Sequence, residues 1–311
     1  MIYLKLLCTA FFWGGTFIAG RMIATSVHPA CAAFLRFLMA SLFLVGMAFW
    51  AEKGLPKLSK SQVVSVVLLG LTGVFAYNIL FFTALKYIHA GRASLIIANN
   101  PILISLLSAL IFKEPLNWIK AVGIGSSVTG AMVVISNGRL ADVAGYSIGL
   151  GEVLIFGCVA SWVAYSLIGK QAMKRLSPLV SVTYSSLVGT VLLFPLALYY
   201  GLVGSLAHYA PVDWASLFYL GFFGTALGFF WYYQGIEKIG PMKASVFINF
   251  VPISAIVLAF LILREPVTTS LVVGAALVIT GVYITNAADL IKRFGAAMLH
   301  LMIPILHGRG R

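Results

Sequence analysis

Apolar residues run along this chain in long blocks separated by short polar caps. A helix crossing a bilayer needs about 20 predominantly apolar residues. Ten stretches meet that requirement: 2–24, 29–51, 61–85, 90–112, 118–136, 148–170, 178–200, 212–236, 241–263 and 268–288. The connectors are short, and the longest, near 137–147, divides the chain about in half. The pattern predicts an all-α membrane protein of ten transmembrane helices, with no soluble domain.

One block recurs. The stretch SLIIANNPILISLLSALIFKEPL (94–116) aligns with SVFINFVPISAIVLAFLILREPV (245–267) at an offset of 151. The same offset pairs Gly70 with Gly221, Gly73 with Gly224, Pro101 with Pro252 and Glu114 with Glu265. Further upstream the offset becomes 149, pairing Trp13 with Trp162 and Pro29 with Pro178. Such self-similarity marks a tandem duplication. Each copy holds five spans, an odd number, so the second must start on the opposite side of the membrane, as an inverted repeat. The expected units are a first repeat over 1–137, a second over 148–288 and a cytoplasmic tail over 289–311.

Composition agrees. The 311 residues are 61% hydrophobic and 9% charged, with mean hydropathy +1.03, against roughly 25% charged residues in a soluble domain. The excess of 21 Lys and Arg over 8 Asp and Glu forms no basic stripe of the kind that binds nucleic acid. The basic residues sit between apolar runs and read as topology signals, with corresponding loops of opposite basicity. Lys53, Lys57 and Lys60 follow span two, whereas its counterpart after span seven carries only His208 and Asp213. Lys170, Lys174 and Arg175 follow span six, whereas Arg21 alone follows span one. Both termini are then cytoplasmic. Trp13 and its neighbours match span six, so residues 1–24 read as a span and not as a cleaved signal peptide. Cys8, Cys31 and Cys158 lie in apolar runs without metal-ligand spacing and read as small hydrophobes. No metal or cofactor is expected.

The ten spans, the duplication, FFWGGTFIAGR in span one, WVAYSLIGKQ in span six and the paired FKEPL and LREPV resemble the EamA family of the drug/metabolite transporter superfamily. The resemblance covers residues 1 to about 288. It implies a bacterial inner-membrane transporter, most often an exporter of amino acids or related metabolites. It also implies a central cavity lined by spans one, three, four, six, eight and nine.

Pro101 and Pro252 each remove an amide donor near mid-span and crowd the carbonyl four residues back. Broken helices at matched places of an inverted repeat point to a midplane site, so both are candidate hinges. Asn99, Asn100 and Asn249 beside them would be costly facing lipid and read as pathway-lining. Asn78, with Tyr77 and Phe82 near it, Trp13, Trp162, Tyr165 and Tyr233 complete the expected substrate site, aromatic surface for stacking and amides for a polar head. Gly224 and Gly228 form a GxxxG, read as internal packing. Ionisable residues within membranes are functional candidates by default. Arg36, two turns into span two, nonetheless reads as bonded to a carbonyl or polar neighbour, Glu152 as interfacial, and Glu114 and Glu265 as structural.

Among rivals, GYSIG (145–149) matches the G-x-S-x-G elbow but lacks its strand-turn-helix context. No zinc or Walker motif is present, and no continuous polar stripe or charged ring suggests a channel. A nucleotide-sugar or sugar-phosphate transporter is the remaining alternative, but doubly anionic cargo calls for several intramembrane cations. The expected function is therefore export of amino acids, aromatic and bulky apolar ones favoured, by alternating access, from a protein expected to be monomeric.

Overall fold

The computed structural model describes residues 1–100, 102–104, 106–107, 118–135, 148–240, 244–281 and 283–284. In chain order the helices are α1 (Ile2–Met22), α2 (Pro29–Glu52), α3 (Lys60–Ala84), α4 (Ala90–Ile97), α5 (Trp118–Ile135), α6 (Leu150–Ala172), α7 (Pro178–Tyr199), α8 (Pro211–Ile239), α9 (Phe250–Leu263) and α10 (Thr269–Gly281). No strand occurs among the described residues. Six helices, α1, α2, α3, α6, α7 and α8, are long and apolar enough to cross a membrane. They fall on expected spans one, two, three, six, seven and eight. The helices α4, α5, α9 and α10 occupy the other four positions over shorter described lengths. Pro101, Glu114, the 137–147 connector and the 289–311 tail lie outside the described residues.

Helix starts follow local chemistry. Pro29, Pro178 and Pro211 each open a helix, where a missing amide hydrogen costs nothing and the fixed φ suits the helix. Ser177 Oγ accepts from Val180 N at 3.2 Å, and His28 Nδ1 accepts from Ala30 N at 3.3 Å, satisfying donors that have no partner within the helix. The end of α2 is marked by Lys53 in the left-handed region, φ 59°, followed by Gly54 at φ 129°.

Helices α2 and α7 cross at the centre, and each also packs on α3 and α8. Helix α1 packs on α8, α9 and α4, while α6 packs on α3 and α4. Most lipid-side residues are apolar and most inward ones are small, aromatic or bonded polar groups, as expected where helix association depends on close packing. Gly73 lies so close to Tyr165 that an added Cβ would stand 2.2 Å from the ring, and at Gly224 one would stand 2.5 Å from Thr16 Cγ2. Gly228 abuts the Trp13 indole, so the GxxxG of α8 is used for packing within the chain.

Among the described residues three helices contain π-helical turns, Gly70–Ala76 in α3, Phe222–Leu227 in α8 and Ala259–Leu263 in α9, the first two at matched places. Such turns loosen the backbone ladder and recur at functional sites. Side chains meet the loosened carbonyls. Asn78 Nδ2 donates to Gly73 O at 3.3 Å and Val74 O at 2.8 Å, and Thr225 Oγ1 donates to Leu220 O at 2.9 Å.

Candidate functional site

The rings of four helices converge at the centre of the molecule. Trp13 of α1 meets Trp162 of α6 edge to face, centroids 5.2 Å apart at 86°. Trp162 also packs against Phe229 of α8 at 5.2 Å and Tyr77 of α3 at 5.5 Å. Tyr77 in turn stacks on Phe81 at 5.8 Å. Edge-to-face and offset arrangements suit the ring quadrupole. These five rings surround a cavity of about 30 Å³, closed off further by Thr16, Phe17, Ile97, Ile248 and Val251. That is room for one or two waters, so any larger occupant requires the rings to part.

Two polar groups complete the lining, Arg36 of α2 and Asn100 just beyond α4. Arg36 is 3% exposed. Its Nε donates to Thr225 Oγ1 of α8 at 2.7 Å and its Nη1 to Asn78 Oδ1 of α3 at 3.0 Å. The guanidinium thus ties together the two side chains that hold the matched π-helical turns. Both partners are neutral, and among the described residues no carboxylate pairs with it. A buried charge without a counter-ion is costly, which sets Arg36 apart from every other basic group described. Asn100 is 1% exposed, and its Oδ1 has no hydrogen-bond partner among the described residues.

The expected site residues divide by location. Trp13, Tyr77, Asn100 and Trp162 line the cavity. Trp13 is fixed by Nε1 donating to Gly224 O at 2.9 Å, whereas the Trp162 indole, the Tyr232 hydroxyl and Ser166 lie together without a well-formed hydrogen bond. Asn78 stands behind the lining, its amide consumed by Arg36 and the α3 backbone. Phe82 is buried beside Phe81, and it is Phe81 that reaches the cavity. Tyr165 packs against Trp162 at 5.3 Å and its carbonyl accepts from the Tyr233 hydroxyl at 3.2 Å. Both tyrosines form a layer outside the cavity wall. Asn99 turns its amide back to Leu95 O and Ile96 O at 3.2 and 3.1 Å. The Asn249 side chain lies outside the described residues, while its backbone ends the 3₁₀ turn Val246–Asn249. Pro252 follows as the third residue of α9 and is buried. A proline is tolerated in a first helical turn, so the break falls at the 3₁₀-to-α junction before it.

Arg36, Phe81 and Phe229 were not among the expected site residues. Arg36 carried a signal, being a lone cation well inside a span. The inward direction of Phe81 and Phe229 carried none, because rings crowd both α3 and α8.

At one end of the molecule, two polar contacts join segments distant in sequence. Arg92 Nη2 lies 2.7 Å from Glu152 Oε1 and His89 Nδ1 lies 3.5 Å from Glu265 Oε1. Glu265 also accepts from the Ala90 and Gly91 amides at 3.2 and 3.4 Å, capping α4 from the far half of the chain. Glu152, in the first turn of α6, is buried at 5% exposure.

The arrangement of helices recurs in a solved structure, and sequence relatives span nearly the whole chain. A solved crystal structure, 17% identical, superposes with a TM-score of 0.67 over 91% of this chain and 96% of its own. The transporter YyaM of Bacillus subtilis is 30% identical over 94% of this chain and 96% of its own length. A probable terminal-alkyne amino-acid exporter of Streptantibioticus cattleyicolor is 29% identical over 93% of this chain and 94% of its own. The model of the EamA-like transporter family matches residues 1–136 and again 149–287. With nearly its full length accounted for by those two matches, this multi-pass membrane protein belongs to the EamA-like transporter family.

Proposed function

We propose that the protein is a secondary transporter exporting aromatic and bulky apolar amino acids by alternating access, from the ring-lined cavity between the two halves of the chain. The observation that carries the reading is the cavity itself. Five rings offer a face for a benzyl-sized side chain, whose burial contributes roughly 2 kcal/mol, while Arg36 and Asn100 offer the polar groups for its head. The likeness to an amino-acid exporter favours the same cargo class. A single buried cation speaks against doubly anionic sugar phosphates.

The ten-span arrangement of two inverted repeats, 1–137 and 148–288, is part of this proposal, and the packing favours it. Exchanging the halves carries the α1–α8 contact onto α6–α3 and the α1–α9 contact onto α6–α4, all of which occur. In the topology set by the basic loops, with both termini cytoplasmic, the Arg92–Glu152 and His89–Glu265 contacts form an outer latch. Opening outward breaks it, with bending at the junctions before Pro252 and at Pro101.

Uptake of a labelled amino-acid panel into proteoliposomes, with and without an imposed pH gradient, tests the reading. Phenylalanine, tryptophan, methionine and leucine are expected to move faster than threonine, and Trp162→Ala to erase that preference. Robust transport of a phosphorylated sugar alone overturns it. Single cysteines at Leu55 and Ser205, in a background lacking the three native ones, are expected to label from opposite faces. Labelling from one face overturns the inverted repeat.

A further inference from the structure

The charge inside the cavity is one-sided. Arg36 is a cation held by two neutral side chains that come from different halves of the chain. Its Nη2 makes no hydrogen bond among the described residues. No acid answers it. Of the eight acidic residues, Glu52 accepts from Ser177 at 2.5 Å and Glu152 pairs with Arg92. Asp213 accepts from Ser26 and the Ala210 amide, Glu265 caps α4, and Glu237 is exposed near the end of α8. The other three, Glu114, Asp142 and Asp289, fall in connectors and tail of the sequence. The second polar group in the wall, Asn100 Oδ1, is neutral and has no partner among the described residues.

A guanidinium whose Nε and Nη1 are held by Thr225 and Asn78 is fixed in place and keeps Nη2 as a preorganised, charged donor for a carboxylate oxygen. Desolvation makes that contact strong, because the charge is already out of water and lacks a counter-ion. An ammonium, in contrast, meets neutral groups such as Asn100 and the rings, and repulsion from Arg36, with no carboxylate to pair with it among the described residues. The two ends of a zwitterionic cargo are therefore recognised unequally.

Building on the cargo class proposed above, we propose that Arg36 is the anchor for the cargo's carboxylate. Because no acid among the described residues faces it, the site takes aryl monocarboxylates with or without an α-amine and rejects neutral and cationic analogues. The ligand class thus widens from amino acids to aromatic carboxylic acids of similar size, oriented with the carboxylate toward α2 and the ring toward Trp13 and Trp162.

Isothermal titration of the full-length protein in nanodiscs tests this with four probes on one phenylethyl skeleton: phenylalanine, phenylalaninamide, 3-phenylpropanoate and 2-phenylethylamine. The two carboxylates are expected to bind within about threefold of each other. Both should bind at least tenfold tighter than the amide and the amine, as expected for a hydrogen bond to a charged group. In Arg36→Gln the tenfold gap is expected to close while a Trp162→Ala variant keeps it. The wild-type panel decides the matter even if Arg36→Gln does not fold. Equal binding of phenylalanine and its amide overturns the anchor and leaves aromatic amino-acid export standing. Binding of phenylalanine without 3-phenylpropanoate overturns the indifference to the amine. Failure of all four probes overturns this inference, and transport of threonine but not phenylalanine in proteoliposomes then overturns the aromatic reading as well.

Discussion

Arg36 and Ser185 stand at corresponding places, 149 residues apart, yet their surroundings differ. Arg36 reaches across to α3 and α8 through Asn78 and Thr225. Ser185 stays local, its hydroxyl donating to Val182 O at 3.0 Å and lying 3.4 Å from the Tyr165 hydroxyl. The same offset carries Thr16 to Tyr165, so the first half sets a small hydroxyl where the second sets a phenol. The contrast teaches that backbone and chemistry are shared differently. The glycines, prolines and tryptophans that fix the helix crossings are matched, whereas the groups that give the cavity its charge are not. A duplicated scaffold thereby presents a site with two distinguishable ends.

The strongest attack on this contrast is to add the missing charge. Ser185→Arg puts a second guanidinium in a fully buried position without a counter-ion, a change expected to cost on the order of 3–5 kcal/mol and to lower the Tm by roughly 10 °C. A wild-type melt would show the two sides to be interchangeable. Next in size are the matched glycines. Gly73→Ala and Gly224→Ala are both expected to cost about 1–3 kcal/mol by overpacking. Gly73→Ala should be the worse, since it meets the rigid ring of Tyr165 and not the Thr16 methyl. Thermal denaturation in detergent ranks them, and the reverse order would mean that the α3–α6 contact is the looser.

Smaller effects sharpen the same contrast. Asn78→Leu removes the Arg36 partner and both π-turn contacts, and is expected to cost about 2 kcal/mol together with most transport. Asn99→Leu, losing the contacts to Leu95 O and Ile96 O, is expected to cost less than half as much. The smallest effect concerns the caps His28 and Ser177, again 149 apart. Burial, then the Lys86 charge, hold the His28 imidazolium below the ordinary histidine range. The folded state therefore takes up this proton later than the unfolded chain, so stability is full at neutral pH and falls on acidification. Protonation also removes the Nδ1 acceptor that caps α2. A Tm decrease of a degree or two between neutral and mildly acid pH is expected, absent in His28→Asn, while Ser177 contributes no such dependence.

How much of this was legible in the sequence depends on what each residue's signal consists of. Span positions were readable because bilayer thickness imposes a length on apolar runs, and six helices fall where the pattern put them. Trp13 and Trp162 were readable because a repeated tryptophan stands out, and their rings do meet. Which face of α3 turns inward was not readable, since Tyr77, Phe81 and Phe82 give that helix rings on several sides. The role of Asn78 was misjudged in the same way. An amide in a span signals something polar nearby, but whether that is cargo or a neighbouring arginine depends on helix rotation, which α2 decides from more than 40 residues away in the chain. The π-helical turns left no mark in composition at all.

Those turns have a consequence for how such a helix tolerates change. A π-helical turn accommodates one residue more than the α-turn it replaces, and it confines the misfit locally, so the segments on either side keep their own faces. Insertion or deletion of one residue elsewhere in a helix rotates everything beyond it by about 100°. In α3 the turn at Gly70–Ala76 separates the stretch from Lys60 to Leu69, which meets α6 and α7, from the stretch Tyr77–Ala84, which faces the cavity. The two stretches can therefore diverge in sequence and length independently, one under the demands of assembly and the other under those of cargo. The matching turn in α8 gives the second half the same freedom, and this is how two halves that match the same family model can keep their joints while their chemistry differs.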